Sequence, residues 1–416
     1  MATITENLQT IKDSTMAIKQ AIIDKGGEVG DLTTYADAIA NLPSGGGDVN
    51  QTAAKNDVTF YDYDGTILYS YTAEEFLTLT EMPPLPRQQG LICQEWNWSY
   101  EDAIEYVAEY GVLDVGATYI TDDGKTRLYI RIAAEGRMDV PLYFQQTVAN
   151  GVTIDWGDGS APETLDGTGK VNTTHRYSSV GDYMISLDVA EGCTLILGHG
   201  TDSTPLIGGD KLVRRNMLYK AEIGKNIQVT ANYAFDYNIS LEAITMPNSI
   251  TSILAQSFRG CYSLPFLIVP NSVGKLTTLF VTMCYSMKAI IFPNSITTID
   301  GQALRNIKVN TIVLPTKIQS LSTYFLESTN TLANIIIPKN ITKIDPSAFA
   351  YCTGMAFYDF SHHTAVPTLA NANAFTGIPT DCKIIVPDAL YDEWIAATNW
   401  STYASYIIKK TDWDNL

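Results

Sequence analysis

The chain has 416 residues, of which 45% are hydrophobic and 17% charged; this balance supports folded domains and excludes wholesale disorder. That length exceeds one ordinary core, and roughly 100–200 residues per domain predicts about two to four modules. The formal net charge is −18, so phosphate backbones and anionic lipid are repelled, and neither nucleic acid binding nor membrane insertion is expected. Residues 1–190 hold 29 acids and 11 bases and residues 191–416 hold 16 of each, which places a compositional seam near residue 190. No apolar run approaches ~18 residues. The opening MATITENLQTIKDSTMAIKQ lacks the apolar segment of a signal peptide, so the chain is expected to fold in the cytoplasm where it is made.

Leu8, Ile11, Ile18 and Ile22, with Thr15 between them, follow a 3-4 spacing that predicts a helix with one apolar stripe. So narrow a seam is marginal in water alone, and it predicts self-association, with a trimer favoured, or docking on a partner. Packing on the helix's own domain is the alternative. Gly26-Gly27 ends this helix, and a second runs from Tyr35 to Leu42. Residues 1–43 therefore read as a helical oligomerisation or attachment segment, and 44–56, with Ser44-Gly45-Gly46-Gly47, as a Gly-rich linker.

Residues 57–136 read as a small α+β domain. Val58, Phe60, Ile67, Tyr69 and Tyr71 alternate around Tyr63-Asp64-Gly65-Thr66, the signature of a hairpin. Ser99, Glu101 and Asp102 open an amphipathic helix that Gly111 closes. A second hairpin is predicted to turn at Asp122-Asp123-Gly124, with Tyr119 on one strand and Leu128, Ile130 and Ile132 on the other. Asp62-Tyr63-Asp64-Gly65-Thr66 resembles the D-x-D-G-T nucleophile loop of haloacid-dehalogenase phosphatases. It lies between strands only a few residues apart, with no βαβ continuation or downstream acidic motif in view, and is read as a turn.

Residues 137–191 carry Trp156-Gly157-Asp158-Gly159, His175-Arg176-Tyr177 and an alternating Gly181–Val189 segment. In combination these resemble a PKD domain, which implies an immunoglobulin-type β-sandwich in which Asp155, Asp158 and His175 serve turns and corners.

Prolines at 247, 270, 293, 315 and 338 recur at intervals of 23, 23, 22 and 23, the mark of a solenoid. Each is preceded by an apolar triplet such as Leu264, Leu267, Val269 and followed by a plug such as Phe258, Leu304 or Phe349. Cys261, Cys284 and Cys352 fall three residues beyond the plug position. The pattern L-x-x-I-x-I-P-x-S-I-x-x-I…F-x-x-C resembles the BspA-like leucine-rich repeat, which predicts a solenoid over 192–387. Residues 388–416, with Asp388 capping a helix through Leu390, Trp394 and Ile395, read as a C-terminal helical cap. The fold class expected is mainly β and modular: N-terminal helical segment, small α+β unit, PKD-like sandwich and leucine-rich-repeat solenoid.

Alternation aims Thr245, Ile268, Ile291, Val313, Ile336 and Asp359 away from the solenoid core. Ile268, Ile291, Val313 and Ile336 would form an apolar strip and are the candidate binding residues; the alternative is that a loop, a protomer or twist covers them. The six cysteines show no C-x-x-C pair or zinc spacing, so thiol core filler, no metal and no cofactor are expected. No Ser-His-Asp spacing, phosphate cradle or H-E-x-x-H occurs, and no enzyme is expected. His362 and His363 read as a solvated loop.

The segment Leu8–Gly26, with Thr33–Ile39, resembles the N-terminal part of tail proteins of phages that infect gut bacteria. The resemblance implies a phage or prophage tail fibre or receptor-binding protein, attached to tail or baseplate proteins through its N-terminus and binding a host surface glycan or protein through its repeats. Its place would be the virion tail. The alternatives are a bacterial cell-surface adhesin of the BspA-like type, a non-binding structural tail spacer, and a carbohydrate-active enzyme.

Overall fold

The computed structural model describes residues 57–200, 204–208 and 215–416; the predicted helices and linker of 1–56, with Leu8, Ile11, Ile18 and Ile22, lie outside the described residues. The first hairpin forms as read. β1 (Val58–Tyr61) pairs antiparallel with β2 (Ile67–Tyr71) across the Asp62–Thr66 turn. After helix α1 (Ala73–Leu77) and β3 (Leu91–Trp96), helix α2 (Tyr100–Tyr110) is capped by the Ser99 hydroxyl, which accepts from the Asp102 amide at 3.1 Å, and closed by Gly111 at φ 72°. β4 (Leu113–Thr121) returns parallel to β1, giving the sheet order β2-β1-β4-β3. Sequence reading missed this parallel crossover, because β1 and β4 are separated by a hairpin strand, two helices and β3. Phe60, Phe76, Trp96 and Val107 fill this module's own core.

The second hairpin does not form. β5 (Thr126–Ile132) leaves β4 at the Asp122–Gly124 turn and enters a different sheet. There it lies between β10 (Gly181–Val189) and β12 (Leu218–Glu222), antiparallel to both. The small module therefore ends near residue 121, not 136. Both strands alternate, but Leu128, Ile130 and Ile132 are buried only by the larger sheet.

The next strands are β6 (Asp139–Gln146), β7 (Val152–Asp155), β8 (Glu163–Thr164), β9 (Gly169–Arg176) and β11 (Leu195–Leu197). They form two sheets with strands of the first solenoid coils: β13 (Ile227–Thr230), β14 (Ala243–Thr245) and β15 (Ser252–Ile253). One sheet runs β14-β12-β5-β10-β7-β8 and the other β15-β13-β11-β6-β9. The boundary expected at 191 is thus no break in packing. A single apolar cluster extends from Leu128 to Ile407, so the two-sheet region serves as the solenoid's N-terminal cover. Within it the Asp155 carboxylate accepts from Gly157 N at 2.9 Å, and His175 stacks on Trp156 at 4.7 Å while bonding Asp158 at 2.8 Å. Hydrogen bonds from Ser160 and His175 hold the Asp158 carboxyl down at about 2.

Beyond residue 240 each coil contributes short strands to parallel ladders. Phe266–Ile268 pairs with Ala289–Ile291, and Lys275–Leu276 with Thr298–Ile299, one repeat apart. Two backbone columns make the coils turn. Tyr233, Gln256, Leu279, Gln302, Tyr324 and Ser347, two residues before the plug, and Tyr237, Gly260, Met283, Asn306, Ser328 and Tyr351, two after it, all have φ between 51° and 69°. Each residue other than glycine held left-handed costs about 1 kcal/mol or more, which burial of the adjacent plug offsets in every coil. The coil at 311–315 forms no strand, although Ile312 and Leu314 stay inward; it follows the single 22-residue interval.

Residues 388–416 close the last coil. Trp394 and Trp400 are fully buried, Trp400 Nε1 donates to Pro367 O at 2.7 Å, and Asn399 Nδ2 to Leu369 O at 2.7 Å. Asp388 does not cap the Tyr391–Ala396 helix; its carboxylate accepts from the Thr411 amide at 3.1 Å and from the Thr411 hydroxyl, tying the terminal Lys410–Asp414 helix to the lid.

Candidate binding surfaces

The outward column points as alternation requires, away from the solenoid core. It is covered all the same, and by the chain's own small module. Ile268 and Ile291 are 6% and 1% exposed and form a separate apolar cluster with Tyr61, Ala289 and Phe266. Val313 and Ile336 are half-buried against the core of the module. Expected exposure of Ile268, Ile291, Val313 and Ile336 is therefore corrected: the alternative reading, a covering element, describes this face. Distance in sequence hid it, because the strip and its cover lie about 150–250 residues apart.

The fit depends on residues that no periodicity marks. Asn97 Nδ2 donates to Val269 O at 3.1 Å and Ile291 O at 3.2 Å, while its Oδ1 accepts from Gly116 N at 2.8 Å. Trp98 Nε1 donates to Phe292 O at 2.7 Å. These bonds supply donors to carbonyls at the strand ends: Ile291 O also accepts from Val269 N at 3.0 Å, and Phe292 O lies where the ladder stops before residues 311–315. Gly116 allows the approach, since a Cβ there would lie 2.5 Å from Ile268 Cγ2. Along one rim, the Glu95 carboxylate accepts from the side chains of Asn248, at 2.5 Å, and Asn271, residues of successive repeats. Along the other, Lys339 bonds Glu109 at 2.7 Å and Lys317 faces Asp102 at 3.8 Å. The Lys339 hydrogen bond holds the Glu109 carboxyl below the usual carboxylate range.

Two roomy clefts border this joint, besides one of about 70 Å³ beside Val313 and Ile336. One of about 550 Å³ is lined by Asp102, Glu105 and Glu109 of α2 and by Asn294, Lys317 and Lys339 of the solenoid. Asp102 and Glu109 pair there with Lys317 and Lys339. The other, about 600 Å³, is lined by Pro83, Pro84, Trp96, Trp98, Tyr100 and Asn271, but both indole N–H groups are committed inward, to Pro83 O and Phe292 O. His362 and His363 do not share a solvated loop: His362 lies against the Tyr110 ring at 4.9 Å, and His363 is buried with its imidazole pushed down to about 4 by desolvation. The Asp62 carboxylate of the D-x-D-G-T segment is buried and accepts from Tyr63 N at 2.8 Å and from the Gln88 side chain.

The cysteines of the repeat form a ladder of their own. Cys261 Sγ donates to Phe235 O at 3.2 Å, Cys284 to Phe258 O at 3.1 Å and Cys352 to Leu326 O at 3.1 Å, each reaching the plug of the preceding coil. Burial pushes Cys284 and Cys352 up to about 12, so these thiols are core groups. Among the described residues no group of three His, Cys, Asp or Glu is placed to hold a metal, and no helix is long and apolar enough to cross a membrane.

One aromatic row stays open. At the corner after the plugs, Tyr262 and Tyr285 stack at 5.2 Å with 25° between planes, and Tyr237 meets Tyr262 edge-on at 6.2 Å. Tyr285 is 43% exposed. The Tyr237 ring leans over Gly260 of the next coil, where a Cβ would lie 2.7 Å from it. Sequence reading passed over this row; its signal was Cys-Tyr-Ser repeated at 261–263 and 284–286.

Residues 225–356 match the model of the BspA type leucine rich repeat region in six copies. No curated protein matches the chain. Among solved structures, a leucine rich cell surface protein from Faecalibacterium prausnitzii is similar at 18% identity over 44% of this chain and 61% of its own, with a TM-score of 0.29. A leucine-rich repeat protein from Bacteroides ovatus is similar at 18% identity over 40% of this chain and 54% of its own, with a TM-score of 0.26. The chain thus spans somewhat more than half the length of either. Within a mainly β protein, the C-terminal solenoid carries BspA-type leucine-rich repeats.

Proposed function

We propose that this chain is a non-catalytic recognition protein of the adhesin type, whose leucine-rich repeats present side chains to a cell surface. The observation that carries this reading is the single apolar cluster running from Leu128 to Ile407, which supports the repeats as a stiff scaffold for presented side chains. The acidic balance directs it to partners other than polyanions. Labelled full-length protein incubated with bacterial and epithelial cells should bind saturably and leave surface glycans uncleaved; failure to bind any of them, or release of glycan fragments, would overturn the reading.

A finer reading has the protein on a phage or prophage tail, as a trimer held by residues 1–43, with PKD-like strands in 137–191 built into the solenoid's cover. The resemblance of Leu8–Gly26 to tail-protein N-termini and the 3-4 spacing of Leu8, Ile11, Ile18 and Ile22 support it. Light scattering should then give three times the 45.7 kDa chain mass, falling to one on Ile11→Asp with Ile18→Asp; a monomeric parent chain would sink the trimer.

A further inference from the structure

The small module's sheet has two outer strands that end differently. β3 lies along the solenoid, where Gln94 Oε1 accepts from Asn248 N at 2.8 Å and the Glu95 carboxylate from the Asn248 and Asn271 side chains. β2 closes the other side of the sheet and pairs with β1 alone. Leu113 N donates to Asp57 O at 2.8 Å, so Asp57, Thr59 and Tyr61 turn their backbone groups toward β4, and Val58 and Phe60 turn theirs toward β2. In the register Val58 to Tyr71 and Phe60 to Tyr69, the backbones of Tyr69 and Tyr71 then bond to β1, and Leu68 and Ser70 direct their N–H and C=O groups outward. Among the described residues no other strand pairs with that edge, and no turn or loop backbone bonds to it.

Nothing in β2 opposes a further strand. Edge strands are commonly blunted by lysine, proline or a bulge, but Ile67-Leu68-Tyr69-Ser70-Tyr71 holds no proline and no charge, and Ile67 is 45% exposed. The register shift of the pair lies between Phe60 and Tyr61, at the turn end, and leaves Tyr69 to Tyr71 regular. Residues 57–121 hold 12 acids and one base, Arg87. Exposed Asp64 stands at the turn end of β2, and exposed Glu74 and Glu75 follow its other end.

We propose that the open edge of β2 takes up a fifth strand from a partner protein, an extended segment with lysine or arginine at its ends. The outward N–H and C=O groups of Leu68 and Ser70 call for another backbone, and the acids at both ends of the strand select its charge. A second copy of this chain would bring the same acids to the same places, which like-charge repulsion opposes. The proposal goes beyond the recognition reading and stands without it, because it uses the module and not the repeats.

The test selects a display library of random peptides on the full-length chain and takes the best-bound peptide, synthesised, into titration calorimetry and hydrogen exchange. Selected peptides should combine β-branched residues with Lys or Arg at their ends, bind more weakly as salt is raised, and slow exchange at the Leu68 and Ser70 amides. Ser70→Pro removes an outward N–H without removing a bond to β1, and should weaken binding about tenfold or more while exchange at Tyr69 and Tyr71 stays as in the parent. Glu74→Lys, at an exposed position outside the strand, should weaken binding about threefold, a readout that holds even where proline disturbs β2. Failure to select any peptide, peptides without basic ends, unchanged exchange at Leu68 and Ser70, or binding untouched by both variants overturns the proposal. Protection of these two amides in the chain alone overturns it as well: protection that grows with protein concentration assigns the edge to a second copy, and protection at every concentration assigns it to another part of this chain.

Discussion

The strand face and the plug corner of the solenoid arise from the same coils and repeat with the same period, yet one is sealed and the other open. Ile268 and Ile291 leave the core by strict alternation and meet Tyr61, Phe266 and the module that holds Gly116. Tyr262 and Tyr285 leave it at a left-handed corner and meet each other and solvent. An apolar outward column therefore marks the place of a partner, and that partner is here the chain itself. A tyrosine column has a polar end and needs no cover.

Placing a charge in the sealed face is the most severe way to break this contrast. Ile291→Lys buries an unpaired ammonium and should cost about 3–5 kcal/mol, or undock the module, in which case hydrogen exchange rises across 57–121 while the Ser320–Leu369 ladders keep their protection. Unchanged exchange throughout would show that the face is not sealed. Asn97→Ala leaves the carbonyls of Val269 and Ile291 without its amide and should cost about 2–4 kcal/mol by denaturant unfolding. Gly116→Ala forces Ile268 to shift and should cost about 1–3 kcal/mol, with the same local pattern of exchange.

Acid should loosen the rim more gently. The Glu109 carboxyl sits below its ordinary value in the folded chain because Lys339 bonds it, so its contribution is present above the unfolded carboxylate range and lost as pH falls through the folded one. Lys339→Met should remove that part of the pH dependence of module exchange while leaving neutral-pH exchange nearly unchanged, since the pair is substantially exposed. The smallest effect belongs to the open corner: Tyr285→Ala should alter stability by no more than about 0.5 kcal/mol. A larger loss would mean that the row is structural.

Much of this architecture was legible in residue order. The five prolines, the plug at Phe258, Leu304 and Phe349 and the cysteines three residues later announced stacked coils, because a repeat must use the same residues at the same turn to bury the same face. Ser99 and Gly111 marked both ends of a helix, because caps satisfy local backbone groups and are chosen within a few residues. Alternation also gave the direction of Ile268 and Ile291 correctly.

What alternation left open is what stands opposite. Leu128 and Ile130 look the same whether they pair with the neighbouring β4 or with β10, some 55 residues on; only the competition between sheets for their apolar face sends β5 to the larger one. In the same way, Asn97 and Gly116 have no periodic signature, since their partners at Val269, Ile291 and Ile268 come from two coils built 150 or more residues later. Local geometry and repeated burial are written in the order of residues, and so the coils, caps and plugs were determined there; which surface closes on which is settled by complementarity between distant parts, and only the folded chain decided that.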